Sequence, residues 1–172
     1  MKSELTVPDR SLIDEAYLKF QLAPSIPAVL AASAVEEATV LSTTQVTPMP
    51  NMPACLLGLV NRRSRVIWIA NLMQLLGVAI PDRPRQQYST IIVKSETSQD
   101  SSVGLPPSLS LGLMVDEING IIHLPTEALQ PVPTQVNPTL EPYLRGCAVQ
   151  DEQILLVLDA EAVLQSSIFQ GS

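Results

Sequence analysis

Residues that carry chemistry are scarce in this chain of 172 residues, which holds one histidine, two cysteines, seven glycines and six aromatic side chains (one Trp, three Tyr, two Phe). Each scarcity closes a class of function. The lone histidine, His123, lies among Ile121, Ile122 and Leu124 with no motif around it, so a nucleophile relay has no base to draw on. Cys55 and Cys147 show no metal-ligand spacing and sit in apolar runs. They read as buried thiols acting as small hydrophobes in a reducing compartment, not as a disulfide scaffold. No glycine-rich phosphate loop exists, because Gly104 and Gly112 have neither Walker nor dinucleotide spacing. The carboxylate pairs Glu36-Glu37 and Asp116-Glu117 are adjacent, which suits solvation more than chelation. No metal and no cofactor is expected, and the chain reads as a non-enzyme.

Apolar runs are short. None approaches the roughly 18 residues needed to span a bilayer, and the N-terminal stretch lacks the apolar core of a signal peptide. A cytoplasmic location without direct membrane insertion is the expectation. Positive charge is scarce as well: ten Lys and Arg against 17 Asp and Glu leave a net charge of −7, which argues against nucleic acid as a partner. The basic residues are nevertheless clustered. Arg62, Arg63, Arg65, Arg83 and Arg85 supply five of the ten within a short stretch.

What the chain has in excess is proline, 15 in 172 residues against an average usage of about 5%. Proline is expelled from helix interiors and central strands, so this count predicts many short elements joined by proline-marked connections. Residues 1–14 are polar and aperiodic and read as an N-terminal tail, with the domain proper over 15–172. Leu18, Phe20 and Leu22 alternate with Lys19 and Gln21, the period of a half-buried strand. Ala28 to Leu41 reads as a helix by propensity. Pro53 introduces Ala54-Cys55-Leu56-Leu57 as one helical turn that Gly58 ends.

Leu59-Val60-Asn61 and Val66-Ile67-Trp68-Ile69 form a hairpin across the polar turn Arg62-Arg63-Ser64-Arg65. Asn71 caps a helix that Gly77 stops. Residues 79–88 are a crossing between two lobes, Thr90–Lys94 a strand, and 95–108 a long flexible loop. Further strands cover 109–115, 118–124, 143–149 and 154–158, and Asp159 caps a last helix through Gln165. Nine or ten short strands and few helices favour small β-barrels over a βαβ sheet.

Three arginines in four positions repel one another unless carboxylates of a partner or of the chain itself answer them. A guanidinium cluster on a rigid hairpin suits docking of a carboxylate-bearing helix or domain.

From Phe20 to about Leu164 the chain resembles the CheW family of chemotaxis adaptors. The signature turn Asn-Leu-Arg-Gly, with its flanking strands, is matched by Gly58 through Leu72. Pro53-Ala54, Val35-Glu36, the strand Leu111 to Ile118, Tyr143-Leu144-Arg145-Gly146 and Ile154 to Asp159 match further pieces in order. The resemblance implies an all-β fold of two interlocked five-stranded SH3-like barrels with a few short helices, and it turns Ala28–Leu41 into strand. It also implies an adaptor that couples the cytoplasmic helical tip of a chemoreceptor to the regulatory domain of a CheA-like histidine kinase.

Carried over by position, Arg63 takes the signature arginine of receptor and kinase coupling, and Glu36 an acidic position near the receptor-facing groove. Leu59 and Ile67 form or support the kinase contact. Arg62 stands where the family has leucine, and Asn61 holds the turn. Ser64 replaces the turn glycine, at a cost of about 1 kcal/mol or more if a positive φ is required. Trp68 and Asn71 replace a proline and an aspartate. These departures, with the long 95–108 loop, imply a divergent adaptor of a system controlling pili and surface motility. The rival reading is a small-molecule-sensing barrel, with Trp68 as a wall and 95–108 as a lid.

Overall fold

The computed structural model describes residues 14–78, 84–95, 110–134 and 136–166. The tail over 1–13, most of the 95–108 loop and residues 79–83 lie outside the described residues. Ten strands are present: β1 (Asp14–Ala23), β2 (Ile26–Ala31), β3 (Val35–Ser42), β4 (Leu56–Arg62), β5 (Arg65–Asn71), β6 (Gln87–Lys94), β7 (Ser110–Val115), β8 (Glu117–Pro125), β9 (Leu144–Gln150) and β10 (Gln153–Leu158). Two short helices, α1 (Leu72–Leu75) and α2 (Ala160–Leu164), follow β5 and β10.

The strands form two five-stranded sheets, ordered β3-β6-β7-β5-β4 and β8-β1-β2-β10-β9. The first uses consecutive strands and is called the continuous lobe. The second joins the first two strands to the last three and is called the split lobe. The two lobes repeat one design. In each, the third and fourth strands across the sheet pair in parallel, β7 with β5 and β2 with β10, while the other neighbours are antiparallel.

Both lobes close in the same way. In the continuous lobe the chain leaves edge strand β3 and pairs Thr47 with Leu59 of the opposite edge β4; in the split lobe it leaves β8 and pairs Gln130 with Cys147 of β9. The sheets are thereby curled into small barrels, which removes the open edges that invite aggregation. Gly58 and Gly146 sit at equivalent places, where the crossing chain comes nearest. A Cβ on Gly146 would lie 2.5 Å from the Gln130 carbonyl oxygen.

Burial follows the same repeat. One core fills the continuous barrel with Leu41, Val46, Val60, Ile67, Ile69 and Ile92. Tyr17, Val29, Leu124, Ala148, Leu155 and Val157 fill the split barrel. The largest cluster lies between the lobes, where Leu18, Phe20, Leu22 and Leu30 meet Leu72, Met73, Ile91, Val93 and Leu113. Both cysteines are free and buried, and burial pushes the Cys55 thiol up.

Several local expectations hold for stated reasons. The Asn71 side chain accepts from the Gln74 backbone N–H at 3.3 Å. Gly77, at φ 73°, ends α1 with the paired bonds of a Schellman motif, Gly77 N–H to Gln74 C=O and Val78 N–H to Met73 C=O. Asp159 caps α2 through the N–H groups of Glu161 and Ala162.

Others are corrected. Ala28–Leu41 is two strands and a 3₁₀ turn, because pairing of β2 with β1 and of β3 with β6 outweighs a few tenths of a kilocalorie of alanine propensity per residue. The helical turn expected at 54–57 is a single hydrogen-bonded reverse turn: Leu56 N–H donates to Pro53 C=O, and Leu56 already belongs to β4. Gly58 therefore lies inside a strand rather than ending a helix. Asp116 is not solvated; it forms an ion pair with Arg85 at 3.0 Å, with side-chain exposures of 10% and 15%. That pair fastens the segment before β6 to the β7–β8 junction; residues 79–88 join α1 to β6 within the continuous lobe, so the crossing expected there is made instead between β2 and β3 and between β7 and β8.

Candidate functional site

The arginine turn is a two-residue hairpin. Arg62 and Arg65 face each other at the ends of β4 and β5. Arg63 and Ser64 between them adopt φ of 53° and 66°. That is the twist of a type I′ turn, which matches the right-handed coiling of a β-ribbon and normally selects glycine or asparagine. The cost expected for Ser64 is thus present, and Arg63 carries the same kind of cost. Both are held by the ladder on either side.

The three guanidinium groups have different surroundings. Arg62 forks onto Glu37 of β3, with Nε donating to Oε1 at 3.1 Å and Nη2 donating to Oε2. Its Nη2 also lies 3.4 Å from Thr39 Oγ1. Arg65 donates to Glu36, and Ser110 Oγ of β7 donates to the same carboxylate at 3.1 Å while accepting from Arg65 at 3.3 Å. The turn is therefore stapled to β3 and β7 by two carboxylates of its own chain. Glu36 and Glu37, read from the sequence as a solvated pair, serve instead as these staples.

Arg63 differs. Its side chain is 74% exposed, and its nearest carboxylate oxygen, Oε2 of Glu37, is 3.8 Å away and already held by Arg62. Beside it, Asn61, Ser64 and Val66 are exposed, Val66 at 66%. No hydrogen bond from the Asn61 side chain to the turn exists among the described residues, so the turn is held by the ladder and the staples. Leu59 is half-buried next to Trp68. Ile67 is 2% exposed in the barrel core, which leaves it support of a surface rather than contact.

The Arg62 fork holds the Glu37 carboxyl below its ordinary value, chiefly through the side-chain hydrogen bond. A carboxyl depressed in the native state binds fewer protons there than in the unfolded chain. Its contribution to stability is complete above the unfolded value and disappears as pH falls through the depressed one. Glu37→Gln removes that component. In urea unfolding the wild type is more stable than the variant at neutral pH, and the gap narrows as pH falls through the carboxylate range. A gap independent of pH would show that the staple carries no charge coupling.

No group of three or more His, Cys, Asp or Glu side chains is placed to hold a metal ion among the described residues. A cleft of about 340 Å³ lies in the split lobe, bounded by Ala31, Arg145, Asp159 and Glu161. Trp68, the wall of the sensor reading, is not part of it.

A model of the CheW-like domain matches residues 16–167, a span that includes the stapled hairpin with its one outward arginine. The chain belongs to the CheW-like domain family. Among curated proteins, the probable chemotaxis protein CheW of Rhizobium etli is 26% identical over 124 residues, 72% of each chain. The chemotaxis protein CheW of Thermotoga maritima is 22% identical over 126 residues, 73% of this chain and 74% of that one. Among solved structures, scaffolding protein TtCheW from Thermoanaerobacter tengcongensis superposes with a TM-score of 0.68 at 20% identity, covering 86% of this chain and 90% of that one. That likeness is one of fold, and it agrees with the two five-stranded lobes described above.

Within this family member the residues read from sequence divide by geometry. Arg62 and Glu36 are committed to ion pairs, Ile67 is core, and Arg63 and Asn61 are exposed. Sequence reasoning missed Glu37 and Ser110 as parts of the site, and it named Arg65 only as a member of the arginine cluster. The alternation of β3 was the available signal for Glu37, since it puts residues 35, 37 and 39 on the inner side and 36, 38 and 40 on the outer.

Proposed function

We propose that this CheW-like protein is a non-enzymatic adaptor that couples the cytoplasmic helical tip of a chemoreceptor to the regulatory domain of a CheA-type histidine kinase. The output is chemotaxis or pilus-based motility, and the protein works in the cytoplasm, held at membrane-associated receptor arrays through its partners. The observation that carries this reading is a match to the family over nearly the whole chain, combined with an exposed arginine on a turn rigid enough to present it. The two staples and the type I′ turn fix the backbone that presents Arg63, so little backbone freedom is lost on binding, and rigidity of that kind favours affinity. The half-buried Leu59 and Trp68 and the exposed Val66 supply an apolar patch with a polar rim, the make-up of a transient signalling contact.

The test is titration of the full chain against a purified CheA regulatory domain and against a receptor cytoplasmic fragment from the same organism. Saturable binding of both, on surfaces that do not compete, is expected. Binding of neither would overturn the adaptor reading.

A further inference from the structure

The two lobes share one design, but at one place they fill it with different chemistry. Gly58 pairs with Ile69 in the continuous lobe and Gly146 with Val157 in the split lobe, so these positions are equivalent. One residue before each glycine the ladder skips a position, which makes Leu57 and Arg145 the extra residues of matching β-bulges. Beyond the partner strands, Asn71 and Asp159 cap α1 and α2, and Met73 and Glu161 follow two residues later. Parallel pairing of Ile69 with Gly112 and of Val157 with Val29 puts Met114 and Ala31 in register as well.

In the continuous lobe this place is apolar. Met73 and Met114, 0% and 2% exposed, are part of the core between the lobes, and Leu57 packs against it. Their counterparts in the split lobe, Glu161, Ala31 and Arg145, line the cleft of about 340 Å³. The charges there do not neutralise one another. Arg145 is exposed and makes no hydrogen bond or ion pair among the described residues. Asp159 caps α2 through Oδ1 alone, and its other oxygen has no partner among the described residues. A cap needs no charge at this position, since Asn71 serves the other lobe. Glu161 is held in place by Ser95 Oγ, 3.2 Å from each of its carboxylate oxygens.

We propose that this cleft binds a free α-amino acid with a small apolar side chain. Its carboxylate pairs with the Arg145 guanidinium, its ammonium group lies between Asp159 and Glu161, and its side chain rests on Ala31, Ala34 and Leu158. The arrangement selects a zwitterion. A simple anion meets two carboxylates, and a simple cation meets the guanidinium, so each is disfavoured. The cleft is open and the contacts are few, which sets the dissociation constant on the order of 1 mM. The site involves neither the arginine turn nor a protein partner, so it stands or falls apart from the adaptor reading.

Titration of the full chain with L-valine to about 20 mM, followed by the backbone amide resonances in NMR spectra, tests it. Amides of residues 31–34, 145 and 158–161 shift together and saturate. N-acetyl-L-valine and L-valinamide, each lacking one of the two charges, bind about tenfold or more weakly than valine. Arg145→Gln and Asp159→Asn each weaken valine binding by about tenfold, the second with the cap of α2 retained. Ala31→Met, which installs the side chain that the continuous lobe has at this place, abolishes binding. Amide resonances away from the cleft that match the wild type show that each variant is folded. Absence of a saturable shift, equal binding of the two blocked compounds, or undiminished binding in Arg145→Gln and Asp159→Asn would each overturn the proposal.

Discussion

Gly58→Ala lowers the unfolding free energy by about 3 kcal/mol or more, the upper end of what a single added methyl group does. Two terms combine. Gly58 has φ of 148°, a backbone conformation that L-residues rarely adopt. An added Cβ would overlap the Thr47 carbonyl oxygen and come within 2.7 Å of its carbon and 3.1 Å of Pro48 Cα. These are backbone atoms, held by the reciprocal bonds between Thr47 and Leu59 at 2.8 and 2.9 Å, so no side chain can swing aside. Relief requires separating the crossing chain from β4, which opens the barrel seam. Urea unfolding measures the loss. Gly146→Ala repeats the clash with Gln130 without the positive φ, and a smaller loss there would separate strain from overlap. Wild-type stability in Gly58→Ala would refute this account of the seam.

Arg62→Glu and Arg63→Glu, a single position apart, have opposite consequences. Arg62 and Glu37 are 28% and 18% exposed at the side chain and share a forked ion pair. Reversing Arg62 sets two carboxylates against each other where water reaches neither freely, and the fold loses about 2 kcal/mol. The exchange Arg62→Glu with Glu37→Arg recovers part of it, which a loss of hydrophobic packing would not. Arg63→Glu changes an exposed side chain and shifts stability by no more than about 0.5 kcal/mol. Its effect falls on binding, where affinity for the kinase domain or the receptor fragment drops by about tenfold or more. Equal loss of stability in both variants would dissolve the distinction between staple and contact. Unchanged binding in Arg63→Glu would remove that residue from the site.

The contrast marks what was legible in advance. Alternation of Leu18, Phe20 and Leu22 identified β1, and the polar interval 62–65 between apolar runs identified the β4–β5 hairpin. Asn71, Gly77 and Asp159 identified the ends of α1 and α2, since caps and stops depend on one or two residues. The stretch 28–41 failed as a propensity reading because the helix preference of its alanines is small beside the pairing of β2 with β1 and of β3 with β6, and β6 lies too far along the chain for a local window to see. The spacing of the arginines left open, for the same reason, which of them the chain answers with its own carboxylates. Which of Arg62, Arg63 and Arg65 is free depends on where β3 lies, and β3 is placed by pairing with β6.

What the residues show without a structure is an all-β chain of short elements joined at prolines, with one cluster of arginines on a turn. Those are properties of residue type and local period, which the backbone obeys wherever it lies. The tertiary structure alone decided that two of those arginines are spent on the chain's own glutamates and one is left outward. It also decided that Gly58 and Gly146 are equivalent points in two copies of one design. Closing a sheet into a barrel brings residues together across its seam by strand order and register, and neither is encoded in any short window of the chain.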